Sequence, residues 1–158
     1  MASDLTKGAY SGKETFLYYN SATHASQTWV EIVRARNVTV NQEKSVDPVE
    51  FHGASETGHT VGYSGFTGTF EYVRRKGTDA VFSALETARN DGSSIELGQL
   101  NGPITDANST GWQAPVYLGT FSETANGNDG VVVTIEFKKA DVFDSTGASI
   151  PVDSLSGS

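Results

Sequence analysis

The sequence predicts a mainly β protein: a β-sandwich or half-barrel of two packed antiparallel sheets with one flanking α-helix, a long loop and extended terminal arms. The chain carries 17 glycines among its 158 residues, together with many serines, threonines and asparagines, which is typical of turn-rich β proteins. Several segments alternate apolar and polar residues with the period of two that a half-buried strand requires. A single segment combines helical spacing of apolar residues with signals for both helix ends.

Length and composition indicate one domain spanning residues 1–158. A chain of 158 residues with 37% apolar residues can bury about 70% of its unfolded surface, so it needs neither disulfides nor metals to stay folded. Within that domain we expect an N-terminal arm over residues 1–27 and a β core with its helix over residues 28–140. A long loop over residues 42–63 belongs to the core, and residues 141–158 form a C-terminal arm.

Charge and residue types exclude several classes of function. A formal net charge of −8 disfavours a protein that grips nucleic acid through its phosphates. The absence of cysteine excludes thiol catalysis and a disulfide scaffold. No stretch approaches the roughly 18 apolar residues of a membrane span, and the first residues lack the apolar segment of a signal peptide. We therefore expect a protein made in the cytoplasm, with no cofactor, no membrane contact and no enzymatic activity.

The secondary structure is predicted from periodicity and caps. The segment Thr28–Asn41, TWVEIVRARNVTVN, is predicted as the first long strand, although charged and apolar residues mix at both parities. Further strands are predicted at residues 64–74, 94–99, 112–124 and 130–139. The helix is predicted over about residues 79–90, with Thr78 or Asp79 as its N-cap and Asn90-Asp91-Gly92 ending it.

Polar residues form one face across several of these strands. On each strand they lie opposite that strand's own apolar set, because successive side chains point to opposite sides. An outer, solvated sandwich face would have the same pattern, and so would a surface that a subunit presents inside an assembly. The candidate residues on this face are Thr39, Asn41, Thr67, Thr69, Glu71, Glu96, Thr134 and Glu136.

Two charged segments have competing interpretations. The stretch EFHGASETGH contains His52 and His59 near acidic residues, but its spacing matches no known metal-ligand pattern, so no metal site is predicted. The run Arg74-Arg75-Lys76 is either a solvated corner or an interface with an acidic neighbour.

The order of these elements between Thr28 and Ala140 resembles the tail tube (major tail) proteins of long-tailed bacteriophages. The similarity begins with Trp29-Val30-Glu31-Ile32 and Arg36-Asn37-Val38-Thr39-Val40, followed by the long loop. A Gly/Phe-rich strand ending in Phe70-Glu71-Tyr72, the helix after Gly77-Thr78-Asp79 and Ile95-Glu96-Leu97 follow. Gly111-Trp112, Gly119-Thr120-Phe121-Ser122 and the Val-rich strand ending in Lys138-Lys139 complete it.

The resemblance implies a structural protein that assembles into stacked hexameric rings, which form the hollow tail tube of a virion. Assembly would take place in the host cytoplasm. The partners would be further copies of the chain, a tape measure protein inside the tube, and tail terminator and tip proteins. DNA would pass through without specific binding. The polar face would line the lumen, where few cationic contacts would let DNA slide.

The resemblance also implies that the loop and arms contact adjacent subunits and rings. Relatives often carry an acidic residue at the position of Asn37 and an arginine near Phe51-His52, and this chain has neither. Packing of Val49 and Phe51 is therefore expected to replace that polar contact between rings. The candidate residues for contacts between subunits or rings are Trp29, Glu31, Arg34, Arg36, Val49, Phe51, Arg74 and Arg75.

Two alternatives remain open from the sequence. The inner tube of a contractile injection system, or of a type VI secretion-like particle, would have the same architecture with a protein cargo. A monomeric β-sandwich binding module would require a concave aromatic platform, for which Tyr63, Trp112 and Tyr117 are the candidates.

Overall fold

Eight β-strands and one helix make up the part of the chain that the structure describes. The computed structural model describes residues 15–50, 57–127 and 130–158, and the side chains of these residues except at positions 43–50, 57–64 and 126. In chain order the elements are β1 (Phe16–Asn20), β2 (Trp29–Glu31), β3 (Ala35–Glu50), β4 (Thr57–Val73), α1 (Ala80–Asp91), β5 (Ile95–Leu100), β6 (Thr110–Asn126), β7 (Gly130–Lys139) and β8 (Asp153–Ser156).

All eight strands hydrogen-bond in one antiparallel sheet of order β2-β1-β5-β6-β7-β4-β3, with β8 beside β6. The predicted mainly β class with a single helix is confirmed, but the strands form one continuous sheet rather than two separate sheets. The reason is β6, which pairs with β5 and β8 through its first residues and with β7 from Val116 onward. We call β2, β1, β5, the start of β6 and β8 half-sheet A, and the rest of β6 with β7, β4 and β3 half-sheet B.

The core lies between the two half-sheets. One cluster of buried residues joins Leu17 and Leu97 of half-sheet A to Phe70 and Phe137 of half-sheet B. Leu85 of α1 belongs to the same cluster and is fully buried. Because one cluster contains residues from both halves, the sheet folds onto itself and buries their inner faces together, as a sandwich does.

The segment Thr28–Asn41 is two strands, not the single strand that its length suggests. β2 pairs with β1 at one edge of the sheet, and β3 pairs with β4 at the other edge. A turn at Val33 and Arg34 separates them, so three residues connect the two ends of the sheet order. A second irregularity lies between Arg36 and Thr39, where the register with β4 shifts and Asn37 adopts φ 52°. These two breaks explain the mixed parity of the sequence.

The predicted loop is wrong at residues 42–50 and 57–63, which lie in β3 and β4, and its remaining part, 51–56, lies outside the described residues. β3 and β4 pair up to Glu50 and Thr57, forming a long hairpin that extends beyond the ends of the neighbouring strands. Pro48 is tolerated because β3 is an edge strand, where a missing N–H need not break a ladder. Polar composition and scattered glycines conceal the strands, since this part of the chain has no regular apolar alternation.

The helix begins and ends as its caps predict. Asp79 is the N-cap, and its side chain accepts a hydrogen bond from the Phe82 amide. Gly92 closes the helix in the left-handed region with φ 67°, which favours glycine. Phe82, Leu85 and Ala88 form the buried stripe that packs α1 into the core.

The described parts of both predicted arms fold onto the chain's own sheet. β1 lies between β2 and β5, so residues 16–20 of the predicted N-terminal arm belong to half-sheet A. In the predicted C-terminal arm, β8 pairs with β6, and Ile150 and Leu155 are buried. Neither segment has a long apolar pattern in the sequence. A few buried residues suffice in each, because most of the core comes from the other strands. Residues 1–14 lie outside the described residues.

Candidate functional site

The outer face of half-sheet B carries seven of the eight predicted lumen residues. Residues paired across antiparallel strands share a face, so the register places the side chains in rows. The predicted residues in those rows are Thr39, Asn41, Thr67, Thr69, Glu71, Thr134 and Glu136. We call this surface the polar face. The core-directed partners Phe66, Phe70 and Tyr72 alternate with them on β4 and are buried.

The polar face also includes residues beyond these seven. Lys138 lies opposite Thr67 and Tyr117, and Ser122 lies opposite Thr134. Tyr117 is 44% exposed, so an aromatic ring stands among the polar side chains. The alternation of β6 could have revealed Tyr117, but a register shift between Leu118 and Phe121 hides which residues continue the face.

Arg36 also belongs to the polar face, where its charge is paired. The Arg36 Nε donates a hydrogen bond to Glu71 Oε2 at 3.1 Å, and the Asn37 side-chain amide donates to the same oxygen. The bulge at Asn37 conceals the parity of Arg36 in the sequence, and its predicted role in contacts between subunits stays a prediction. The face thus carries Glu71 with its arginine, Glu136, and the exposed Lys138, so acidic and basic side chains balance.

Half-sheet B has two open edges among the residues that the structure describes. β3 pairs only with β4, and β6 beyond Val116 pairs only with β7. Open edges present backbone donors and acceptors to any further strand. Arg89 reaches the β6 edge at one point, where its Nε donates to the Gly119 carbonyl at 3.0 Å and its guanidinium stacks on Phe121. The rest of this edge remains available.

Glu96 does not join the polar face. It lies on β5 in half-sheet A, where Asn20, His24 and Gln27 each place a nitrogen 3.0–3.1 Å from its carboxylate. These contacts hold the segment between β1 and β2 against the sheet. Strand parity cannot distinguish this position from the polar face, because both half-sheets have an outer side.

The other residues predicted for contacts between subunits lie in several places. Trp29 packs against the chain's own second apolar cluster, formed around Tyr18, Leu100 and Leu155. Glu31 is partly buried in β2. Val49 lies in the β3 hairpin strand, and Phe51 lies outside the described residues.

Three arginines from this set come together at the end of half-sheet B where β4 leaves the sheet. Arg34 accepts a backbone hydrogen bond from Val73 through its carbonyl, which places it beside Arg74 and Arg75. Arg74 contacts Glu123 at 3.2 Å and stacks 4.6 Å from the Phe82 ring centroid. Arg34 and Arg75 are exposed.

The start of α1 is fixed to half-sheet B through Asp79. The Tyr72 hydroxyl donates to this carboxylate, at 2.8 and 2.7 Å from its two oxygens. Burial opposes ionisation of Asp79, but hydrogen bonds from Tyr72 and from backbone amides outweigh it and lower the pKa of this carboxyl. Burial, followed by the hydrogen bond to Asp79, raises the pKa of Tyr72. The pair therefore holds a charged carboxylate and a neutral phenol together.

The described residues do not form the alternative sites. Trp112 packs edge-on against Phe66 with ring centroids 5.0 Å apart, whereas Tyr117 is exposed on the polar face, so these two rings do not share a platform. The Tyr63 side chain lies outside the described residues. No cluster of three or more His, Asp or Glu suited to a metal occurs in the described part of the chain, and His52 lies outside it. Over the same residues, no helix is long and apolar enough to cross a membrane.

Comparisons with known proteins find similarity in structure and not in sequence. No protein-family model and no curated protein matches the chain. The SPP1 tail tube matches with a TM-score of 0.68 and 13% identity over 93% of this chain and 79% of that chain.

Two other assemblies match at similar levels. The tail of an empty gene transfer agent particle, refined with C6 symmetry, matches with a TM-score of 0.61 and 13% identity over 85% of this chain and 96% of that chain. A chain of the PVC sheath–tube complex, an extracellular contractile injection system in its extended state, matches with a TM-score of 0.62 and 9% identity over 98% and 99%. The chain therefore has the fold shared by these tail tube and injection-system structures.

Proposed function

We propose that the chain is the structural subunit of a virion tail tube, in which copies join into six-fold rings around a hollow lumen. The observation that carries this proposal is half-sheet B, whose outer face is polar and whose two edges are open among the described residues, in a fold that matches tail tubes. The proposed role is therefore structural, without catalysis. The tube would be assembled in the host cytoplasm and hold a tape measure protein, with terminator and tip proteins at its ends.

The strand directions support closure of such a ring. β6, β7, β4 and β3 alternate in direction, so β3 runs opposite to β6. When identical copies stand side by side in one orientation, β3 of one copy adjoins β6 of the next in antiparallel fashion. An even number of strands makes this possible at every contact, and it leaves no edge unpaired once the ring closes.

The dimensions of such a ring suit a conduit. Six copies of a four-stranded half-sheet give 24 strands around the axis. With about 4.8 Å between strands and a tilt of about 40°, the backbone cylinder is about 48 Å across. Side chains about 5 Å deep on each wall leave a lumen of about 38 Å, which admits a DNA duplex.

The polar face would line this lumen. It offers threonine, serine and asparagine side chains, and its arginine is held by Glu71. A wall with few free cations forms few phosphate pairs, so it gains little from counterion release and DNA slides past. Lys138 is the one exposed basic residue on the described face that has no ion pair.

Electron microscopy of the purified protein tests the proposal. We expect hollow rings or tubes, with light scattering giving a mass of six chains or multiples of six. A chain that remains a monomer at its highest soluble concentration would contradict the ring and favour a monomeric binding module.

Charge reversal on the polar face tests the lumen assignment. The double variant Glu71→Lys with Glu136→Lys is expected to form tubes that retain duplex DNA at low salt and slow its passage. The control is Glu86→Lys with Asp91→Lys, which makes the same charge change on exposed residues of α1. Equal DNA retention by both variants, or loss of assembly in the first alone, would show that the polar face is not the lumen.

The inner tube of a contractile injection system is the second candidate, favoured by the likeness to the PVC sheath–tube complex. It would share the ring but carry protein. Particles purified from producing cells separate the two: a contractile sheath around the tube, without packaged DNA, would establish the second candidate.

A further inference from the structure

Arg89 of the helix occupies part of the β6 edge that the proposed ring requires. Beyond Val116, β6 pairs only with β7 among the described residues, so its other side is open to a strand of the next copy. Within that open length, the Arg89 Nε donates a hydrogen bond to the Gly119 carbonyl at 3.0 Å. The chain thus fills one backbone acceptor of its own open edge with a side chain.

β6 is irregular at the point where Arg89 meets it. The register with β7 shifts between Leu118 and Phe121, which leaves Gly119 and Thr120 in a bulge. Both bulge residues are exposed. A bulge leaves one residue outside the strand ladder, and natural edge strands use bulges and charged side chains to avoid pairing with other chains. β6 has both devices at the same place.

The Arg89 side chain is placed both to hold this position and to leave it. Its guanidinium stacks on Phe121, 4.9 Å from the ring centroid, and this cation–π contact helps to orient the group. Arg89 is exposed and forms no ion pair among the described residues. The helix itself is held by its buried stripe, so the arginine can release Gly119 without moving α1.

Pairing between copies competes with this contact. A strand added along β6 brings backbone N–H groups to the carbonyls of the edge, and at Gly119 it meets the guanidinium. Arg89 donates from a charged group, and such a hydrogen bond is stronger than the neutral amide bond that would replace it. The contact between copies therefore gives up a charge-assisted bond, which lowers its affinity relative to an edge without the arginine.

We propose that Arg89 is an autoinhibitory latch, which holds the Gly119 carbonyl in the free chain and is displaced when β3 of the next copy pairs with β6. β3 has 16 residues, so it offers further backbone bonds that offset the one exchanged at Gly119. A shorter or misaligned strand offers fewer, and the latch thus protects the free chain from pairing with it. The latch rests on the proposed function, because it regulates the edge contact that closes the ring.

Removal of the latch should favour assembly although it removes a stabilising contact. In Arg89→Ala, the chain concentration at which half of the protein is in rings should fall about tenfold, because each contact no longer gives up a charged hydrogen bond. Light scattering over a dilution series measures this concentration, and urea unfolding of the dilute chain measures the stability of the subunit. An arginine that only stabilised α1 would leave the concentration unchanged or raise it when removed.

Two further variants complete the test. The matched control is Arg74→Ala: Arg74 also stacks on an aromatic ring, 4.6 Å from the Phe82 centroid, but it pairs with Glu123 and not with an edge carbonyl. This control should not lower the concentration needed for rings. Arg89→Gln keeps a neutral donor, so it should lower that concentration less than Arg89→Ala does, and it decides the test if the alanine variant does not fold.

The outcomes separate the latch from the ring. An unchanged or raised concentration in the folded Arg89 variants, or an equal fall in Arg74→Ala, would overturn the latch while leaving the ring intact. A wild-type chain that forms no rings would contradict the proposed function itself.

Discussion

Removal of the Asp79 carboxylate should destabilise the fold through two contacts at once. In Asp79→Ala, α1 loses its N-cap, which costs about 1 kcal/mol. The Tyr72 hydroxyl also loses its hydrogen-bond acceptor. Because Tyr72 is only 2% exposed, the unpaired hydroxyl lowers the free energy of unfolding by a further amount of roughly 1–3 kcal/mol. The expected loss is about 2–4 kcal/mol, equivalent to a fall in Tm of about 10 °C for a domain of this size.

Matched variants separate the two contributions. Asp79→Asn retains an acceptor for the helix and for the phenol, so its loss should stay below about 1 kcal/mol. Tyr72→Phe removes the hydroxyl but keeps the ring stacked on Phe82. The double variant Asp79→Ala with Tyr72→Phe should then cost less than the sum of the single variants, since the two residues share one contact.

Urea unfolding followed by circular dichroism measures these free energies. The protein concentration should be varied, because self-association would add stability that belongs to the assembly. An Asp79→Ala chain within about 0.5 kcal/mol of wild type would refute the assignment of Asp79 as the anchor of α1. Strict additivity with Tyr72→Phe would refute the coupling between the two residues.

Three further predictions concern acid, packing and the bulge. Folding lowers the pKa of Asp79, so its ionised form adds to the free energy of unfolding above the ordinary carboxyl pKa. This stabilisation is lost as the pH falls toward the pKa of Asp79 in the folded protein. In urea titrations, the difference in free energy of unfolding between wild type and Asp79→Asn should therefore shrink below about pH 4. Gly68→Ala should lower the free energy of unfolding by about 1–3 kcal/mol in the same assay, because an added Cβ would lie 2.4 Å from the Phe137 ring and from the Thr39 carbonyl. The control is Gly127→Ala, whose added Cβ meets nothing within 4 Å and should leave the stability unchanged. Asn37→Ala should lower the free energy of unfolding by about 1–2 kcal/mol, because alanine is strained at φ 52°, and Asn37→Gly should lower it less. Equal losses in the two variants would show that Asn37 stabilises the fold through its hydrogen bond to Glu71 and not through its backbone conformation.

The sequence predicted the elements whose signals are local. The helix at Ala80–Asp91 follows from a side-chain cap at Asp79 and a left-handed glycine at Gly92, both readable within a few residues. β7 lies at the predicted residues 130–139, and its apolar residues Val133, Ile135 and Phe137 are buried. Seven of the eight residues assigned to the polar face share it, because a period of two determines the side of a strand.

The features that were missed depend on pairing between distant parts of the chain. The turn at Val33-Arg34 carries neither glycine nor proline, so nothing local divides Thr28–Asn41 into two strands. Residues 42–50 and 57–63 show no regular apolar alternation in the sequence, so their pairing was not predicted. The alternation of side chains along a strand also does not determine to which half-sheet a residue belongs. Glu96 was therefore grouped with residues of half-sheet B, although it lies on β5 in half-sheet A.

The position of β1 has a consequence for synthesis of the protein on the ribosome. β1 has β2 close by, but its other neighbour is β5, and Phe16 pairs with Leu100, 84 residues later. At about 5–20 residues per second, the N-terminal strand waits roughly 4–17 s for that partner to be made. The last strand, β8, joins β6 only when Asp153–Ser156 has left the ribosome. A nascent chain thus lacks a finished half-sheet A until Ser156 has left the ribosome, which delays the completed fold until that point.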